Sequence, residues 1–140
     1  MDYLDTSVLV AALTNETATE AVQSWLAARP VNDLRVSDWV ATEFSSALSI
    51  KMRMGALDIE QRADALAYFR QLISVSLTIL PIEASHFRTA ARLTDQHQLG
   101  LRAGDALHLA IATEAGARLC TLDRRLAEAG REVGASVLLL

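Results

Sequence analysis

The stretch YLDTSVLV at residues 3–10 decides the fold that we expect for this chain. Tyr3 and Leu4 begin a short apolar segment typical of a buried strand, and the apolar residues 8–10 continue it into a helical turn. Asp5 lies between the two, and therefore at the carboxyl end of the first strand. Ligands bind at that end of the strands in open α/β sheets, so Asp5 is a candidate site residue.

Strand and helix patterns alternate along the rest of the chain. Further strands are predicted at residues 34–36, 77–80, 118–122 and 136–140, and helices at residues 15–28, 39–54, 59–75, 83–97, 105–116 and 123–129. Crossovers between parallel strands are right-handed in nearly all cases. We therefore predict an α/β fold, a three-layer α/β/α sandwich with a central, mainly parallel sheet. The sequence contains no repeat or linker, so residues 1–140 are expected to form a single domain.

The composition excludes several classes of protein. Of the 140 residues, 51% are hydrophobic, which argues against intrinsic disorder. Cys120 has no second cysteine to pair with and lies in an apolar run, so a buried thiol is expected. The sequence opens without a basic leader, and no apolar run approaches the roughly 18 to 20 residues of a membrane span. We expect a cytoplasmic protein that makes no membrane contact.

The charge is distributed unevenly. The net charge of −4 argues against tight, non-specific binding to nucleic acid. Residues 84–131, however, carry seven arginines against five acids, so a phosphate-facing patch is expected in the second half of the chain. Its candidate members are Arg88, Arg92, Arg102, Arg118, Arg124 and Arg125. Arg102 and Arg124 flank acidic residues and are the candidate ligands for substrate phosphates.

Four acids fall where the predicted fold forms its crevice. Asp5 follows the first strand, Asp123 follows the fourth, Asp105 opens a helix and Glu43 lies on a neighbouring helix. Taken singly, Asp105 or Asp123 is more often a helix cap than a ligand. Together, several carboxylates in a partly dry cleft repel each other, and either protonation of one or binding of a cation relieves the repulsion.

A divalent cation is the simpler solution. Lys51 is the only lysine in the sequence and lies about two helical turns beyond Glu43. An all-oxygen donor set suits Mg²⁺ or Mn²⁺, and the lack of a Cys/His cluster excludes structural zinc. We predict that Asp5, Asp105 and Asp123 bind metal, with Glu43 as a ligand or as an orienting group. Such a site can activate water and stabilise charge on a phosphodiester, which predicts a nuclease.

Four segments resemble the successive motifs of bacterial PIN-domain toxins of the VapC family. They are the opening stretch at residues 3–10, the strand-to-helix segment at residues 37–43, RAGDALHLA at residues 102–110 and TLDRRL at residues 121–126. The similarity covers almost the whole chain. It implies a PIN fold, Mg²⁺- or Mn²⁺-dependent cleavage of RNA, and a VapB-like antitoxin that blocks the active site.

The resemblance also assigns the site residues. It places the catalytic acids at Asp5, Glu43, Asp105 and Asp123, and gives Thr6 or Ser7 the hydroxyl that supports Asp5. Gly104 departs from the pattern, since proline is expected there in many relatives; glycine loosens the helix start but removes no ligand.

Several neighbouring side chains have predicted supporting or structural roles. Thr6, Ser7 and Thr121 are candidates for contacting substrate or orienting a ligand. His108 lies one helical turn after Asp105, and we expect a hydrogen-bonded core histidine rather than a proton-transfer group. His86 and His97 are expected at the surface. Trp25 and Trp39 are expected in the core or in an interface, and exposed apolar helix faces favour a homodimer.

Three alternative functions make different demands on the sequence. A phosphoryl-transfer site with Asp5 as acceptor needs either a second aspartate two residues later, where Ser7 stands, or a strand-end lysine, which is missing. A catalytically silent PIN-like module would bind RNA or protein without cutting, although replaced acids would then be expected. A PIN nuclease could also act in RNA processing, and a small antitoxin gene immediately upstream would favour the toxin.

Overall fold

Parallel strands form the centre of the molecule. The computed structural model describes residues 1–30 and 32–140. Within these ranges the strands are β1 (Asp2–Leu4), β2 (Leu34–Ser37), β3 (Thr78–Leu80), β4 (Arg118–Thr121) and β5 (Val137–Leu139). The helices are α1 (Thr6–Leu13), α2 (Thr19–Ala27), α3 (Asp38–Arg53), α4 (Ile59–Val75), α5 (Ala84–Asp95), α6 (Ala103–Glu114) and α7 (Arg124–Glu132).

The order of the strands creates a crevice at the middle of the sheet. The order is β3-β2-β1-β4-β5 and every pairing is parallel, with Leu4 opposite Cys120 in the register of β1 and β4. From β1 the chain builds outward to β2 and β3 on one side, then returns to build β4 and β5 on the other. The carboxyl ends of β1 and β4 therefore flank the topological switch point, where α/β sheets bind ligands. The predicted α/β class is confirmed.

Alternate side chains of the strands point to two hydrophobic cores, one on each face of the sheet. Leu4 and Cys120 contribute to the core shared with α1, α3 and α4, whereas Tyr3 and Leu119 contribute to the core shared with α6 and α7. Burial raises the pKa of the Cys120 thiol to about 12. The thiol is therefore an inert part of the core, as the sequence predicted.

Some predicted boundaries and exposures were wrong. The second helix begins at Thr19 rather than near residue 15, because the Thr19 hydroxyl donates to Thr14 O and accepts from Glu16 N and so stabilises a turn there. The sixth helix begins at Ala103, two residues earlier than predicted. His86 is buried and not at the surface as predicted. Its Nδ1 accepts a hydrogen bond from Glu83 N at 2.8 Å.

One arginine of the predicted phosphate patch is used elsewhere. Arg118 begins β4, at the end of the sheet opposite the crevice, and donates two hydrogen bonds of 2.9 Å to the buried carboxylate of Asp2. This pair compensates the charge of Asp2 and takes Arg118 out of the candidate phosphate ligands.

Across the described ranges, no helix is both long and apolar enough to cross a membrane.

Candidate active site

Asp5 forms the floor of the crevice. It directly follows β1, caps the N-terminus of α1 and is 4% exposed. Its Oδ1 accepts from the Ser7 hydroxyl at 2.5 Å and from Val8 N at 3.3 Å, and its Oδ2 accepts from the Thr121 hydroxyl at 2.5 Å. Both carboxylate oxygens are thus oriented by groups from β4 and α1.

The environment of Asp5 opposes its negative charge. Burial raises the pKa of this carboxyl above its usual value, and the nearby His108 and the hydrogen bonds from Ser7 and Thr121 offset part of that rise. A cation in the crevice would stabilise the ionised form that these hydrogen bonds already favour.

Asp105 shows electrostatically that the four predicted acids lie near one another. It is half-buried in the first turn of α6, and the N-cap of that helix is Arg102, so Asp105 is not the helix cap. Burial raises the pKa of Asp105 most, and the negative charges of Asp123, Glu43 and Asp5 raise it further. Because such effects weaken with distance, the other three acids lie in the same region of the molecule as Asp105, although they come from separate segments of the chain.

Asp123 lies at the rim of the crevice. Its exposed side chain caps α7 by accepting from Leu126 N at 3.1 Å, so the capping role considered from sequence is real. One oxygen is used in this bond, and an aspartate has a second oxygen and further lone pairs to offer. Capping and ligation are therefore compatible at this residue.

Glu43 reaches the crevice from α3 and is held tightly there. Its Oε2 accepts from the Thr6 hydroxyl at 2.5 Å and from His108 Nε2 at 2.7 Å. Burial alone would raise its pKa, but the hydrogen bond and electrostatic effect of His108, together with the Thr6 bond, bring the pKa of Glu43 below its usual value. Its contacts with His108 and Thr6 therefore favour the ionised form of the Glu43 carboxyl.

Three hydroxyl side chains hydrogen-bond to different carboxylates, and the sequence did not say which hydroxyl supports which acid. Ser7 supports Asp5 and accepts from Leu122 N at 2.9 Å, whereas Thr6 supports Glu43. The Thr121 hydroxyl donates to Asp5 and accepts from Asp123 N at 2.9 Å, linking the two acids. These contacts show three hydroxyls positioning the carboxylates.

Two features of the site were missed from the sequence. His108 is buried and hydrogen-bonded, as expected, but its partner is Glu43, which no sequence signal connects to it. Gly104 provides space, since a Cβ at this position would lie 2.4 Å from Glu43 Oε1. The absence of a Cβ at Gly104 thus leaves space that the Glu43 carboxylate occupies.

Open space and positive charge adjoin the acids. A cavity of about 410 Å³ lies between α1 and α3, and its lining includes Glu43, Ser7, Ser46 and Ile50. Arg102 and Arg124 are exposed at the N-terminal ends of α6 and α7, beside Asp105 and Asp123 respectively. Both cations are therefore open to solvent at the starts of two helices, next to the predicted site acids in the sequence.

The donor set fits a hard divalent cation in chemistry. Four carboxylates offer oxygen ligands, and burial together with repulsion from the other acids raises the pKa of Asp105. Among residues 1–30 and 32–140, no three acid, histidine or cysteine side chains are already gathered tightly enough to hold an ion. Asp105 is half-buried and Asp123 is exposed, whereas Asp5 is buried and fixed by its hydrogen bonds.

Comparison with known proteins assigns the family. Residues 3–132 match the PIN domain, so the chain belongs to the PIN-domain family. PIN domains are nucleases, which makes the carboxylate cluster at the switch point the expected location of the active site. No curated protein is significantly similar to the chain in sequence.

Several solved structures share the fold. The Mycobacterium tuberculosis toxin VapC20, described as cleaving the sarcin–ricin loop, superposes with a TM-score of 0.75 at 20% identity, over 93% of this chain and 95% of that one. VapBC2 from Rickettsia felis, bound to a promoter DNA fragment, gives 0.68 at 22% identity over 100% and 99%. PAE2754 from Pyrobaculum aerophilum gives 0.70 at 23% identity over 97% and 89%. At these identities the likeness concerns the fold.

Proposed function

We propose that this protein is a VapC-type toxin, an endoribonuclease that hydrolyses RNA phosphodiester bonds with Mg²⁺ or Mn²⁺. The observation that carries the proposal is the convergence of four ionisable carboxylates at the switch point of the sheet, with Asp5 oriented through both oxygens. Asp5, Asp105 and Asp123 would hold the metal, and Glu43 would bind or orient it. When bound, the ion supplies positive charge that activates water and stabilises the transition state of phosphodiester hydrolysis.

The remaining residues would bind and align the RNA. Arg102 and Arg124 would neutralise phosphates on either side of the scissile bond, since both are exposed and adjoin the acids. The cavity between α1 and α3 would receive the neighbouring nucleotide, because its wall includes both apolar and hydroxyl side chains next to Glu43. Ser7, Thr6 and Thr121 would keep the acids in register during the reaction.

Cleavage assays on purified protein test this proposal. Three substrates are compared: a tRNA pool, an RNA hairpin of the sarcin–ricin loop, and a DNA hairpin with the sequence of that loop. The loop is included because the structurally similar VapC20 is described as cleaving it. We expect cutting of RNA with Mg²⁺ or Mn²⁺ and none in excess chelator. Asp5→Asn should lower the rate by roughly 100-fold or more, because misplacing or removing a charged group at the reacting centre is that costly.

A matched substitution controls for the loss of one acid. Asp64 is exposed on α4, on the other side of a hydrophobic core, and Asp64→Asn should cut RNA at the wild-type rate. Equal rates for Asp5→Asn and the wild type, or cleavage in chelator, would refute the proposed chemistry. Clean folding with no cleavage of any nucleic acid would favour a silent RNA- or protein-binding module.

We propose a VapB-like antitoxin as the physiological partner. VapBC2 from Rickettsia felis is a structurally similar protein whose structure includes promoter DNA, and this chain resembles its toxin-type fold. An inhibitory segment would need to present a cation, since the crevice carries four acids. Co-expression with the product of a small upstream gene should suppress the cleavage, and an unchanged rate in the stable complex would contradict this partner.

We also propose that the protein forms a homodimer. Phe87 on α5 is 55% exposed, and it lines an apolar groove with Trp39 and Leu107 that a second copy would cover. Light scattering should give twice the 15.2 kDa mass of the chain. A stable monomer at working concentration would exclude this assembly.

A further inference from the structure

A buried chain of side chains behind the acids ends on Glu43. Ser37 Oγ lies 2.7 Å from the hydroxyl of Tyr3, and that hydroxyl lies 2.9 Å from His108 Nδ1. His108 Nε2 then lies 2.7 Å from Glu43 Oε2. Ser37, Tyr3 and His108 are each at most 2% exposed. The proposed reaction uses none of these three residues directly.

The direction of the hydrogen bonds fixes the imidazole. An ionised carboxylate can only accept, so His108 Nε2 must carry a hydrogen and donate it to Glu43. Burial raises the pKa of Tyr3, so its phenol keeps a proton and remains a partner for both Nδ1 and Ser37. Rotating the ring would leave several buried polar groups without partners, which is costly in the dry interior.

Glu43 needs such support. Glutamate has a long, flexible side chain, and here it is 28% exposed at the edge of the crevice. The negative charge of Asp105 repels it, since Glu43 is one of the charges that add to the effect of burial in raising the pKa of Asp105. Thr6 supplies one hydrogen bond, but Thr6 and Glu43 both face the cavity, whereas His108 holds the carboxylate from inside the protein.

We propose that His108 is a positioning residue for Glu43. It fixes the Glu43 carboxylate at the acidic cluster, and Tyr3 and Ser37 fix the ring of His108 from behind. The inference rests on the proposed nuclease function, since it assigns His108 a part in that site. His108 itself makes no contact with substrate or metal in this arrangement.

Two amide variants separate positioning from simple packing. In His108→Gln the amide nitrogen reaches about as far as Nε2 and can still donate to Glu43. In His108→Asn the amide stops near the place of Nδ1, so the partner of Glu43 is lost. We expect kcat to fall about 10- to 100-fold in the Asn variant with KM little changed, and to stay within about fivefold of wild type in the Gln variant.

A double substitution tests whether the effect passes through Glu43. Adding His108→Asn to Glu43→Gln should lower kcat no further than Glu43→Gln alone, because the interaction has already been altered. Independent, multiplying losses would overturn the proposal. So would equal losses in the Asn and Gln variants that match their losses in thermal stability, since packing alone would then explain both.

Two measurements do not depend on cleavage. Calorimetric titration with Mn²⁺ should show affinity about tenfold weaker in His108→Asn and near wild type in His108→Gln. In the metal-free protein, imidazole ¹⁵N spectra should show a hydrogen on Nε2 of His108. A bare Nε2, or unchanged Mn²⁺ affinity in the Asn variant, would overturn the inference. Failure of the wild type to cut RNA would defeat the proposed function alone, and the Mn²⁺ titration would still decide the role of His108.

Discussion

Gly104 leaves room for the Glu43 carboxylate, and Gly104→Ala tests whether that room matters for catalysis. The new Cβ would lie 2.4 Å from Glu43 Oε1, and real Cβ contacts essentially never fall below 3.0 Å. The carboxylate must therefore retreat by at least about 0.6 Å, the difference between 3.0 and 2.4 Å. Because its other oxygen is held at 2.5 Å by Thr6 and at 2.7 Å by His108, the retreat strains both bonds.

The expected effect is on rate rather than on stability. A misplacement of about 1 Å can cost on the order of 100-fold, so Gly104→Ala should cut RNA roughly 10- to 100-fold more slowly. Alanine gains about 0.5–1 kcal/mol over glycine in a helix, and a weakened hydrogen bond costs about 0.5–1.5 kcal/mol. These terms oppose each other, so the free energy of unfolding should stay within about 1 kcal/mol of wild type.

Gly130 offers a matched control in another helix. A Cβ there would lie 2.7 Å from Val137 Cγ2 and 3.3 Å from Leu109 Cδ1, both in a hydrophobic core away from the acids. Overpacking of this kind costs about 1–3 kcal/mol, so Gly130→Ala should lose stability. Its folded fraction should still cut RNA at the wild-type rate.

Initial rates on a labelled RNA at saturating metal, combined with urea unfolding curves, distinguish the two glycines. A wild-type rate in Gly104→Ala would show that the position of the Glu43 carboxylate does not limit the reaction. A loss of stability in Gly104→Ala as large as that in Gly130→Ala would show that the new methyl disturbs the fold and not the carboxylate alone. Either result would refute the reasoning.

Two further predictions concern protons at the site. Burial raises the pKa of Asp5, and the hydrogen bond from Thr121 offsets part of that rise. Thr121→Val should therefore raise this pKa further and move the acid limb of the pH–rate profile to higher pH. An acid limb at the wild-type pH would contradict this prediction. The pKa of Asp105 is raised in the folded state, so its ionised form destabilises the metal-free fold above that pKa. Asp105→Asn should therefore raise Tm by a few degrees at pH 7 in chelator, and calorimetry should show the gain vanishing below about pH 4, where the unfolded aspartate is also protonated. A lower Tm at pH 7 would count against it.

The sequence was sufficient for the sheet and for the acids that follow its strands. Asp5 and Asp123 could be placed because parallel strands end at a common edge, and β1 and β4 are short apolar runs with clear limits. Helix boundaries were less accurate where side chains stabilise turns, as Thr19 does, since such contacts involve residues that no periodicity reveals.

The contact between Glu43 and His108 was beyond the sequence for a different reason. It depends on how α3 and α6 pack against each other, and the two residues are 65 positions apart. Apolar periodicity predicts that each helix has a buried face, but it does not say which polar side chains meet where the faces end. For Gly104 the sequence suggested only a loosened helix start, and the space that this glycine leaves for Glu43 became visible in the structure.

The bond between Thr121 and Asp5 joins positions 116 residues apart, and this has a consequence for biosynthesis. Proteins emerge from the ribosome N-terminus first, at about 5–20 residues per second. A growing chain that ends before β4 already contains Asp5, yet it lacks the strand that orients that carboxylate and the segment that brings Asp123. If the proposed function holds, a translation product that ends before β4 would lack both the hydroxyl that orients Asp5 and the Asp123 carboxylate.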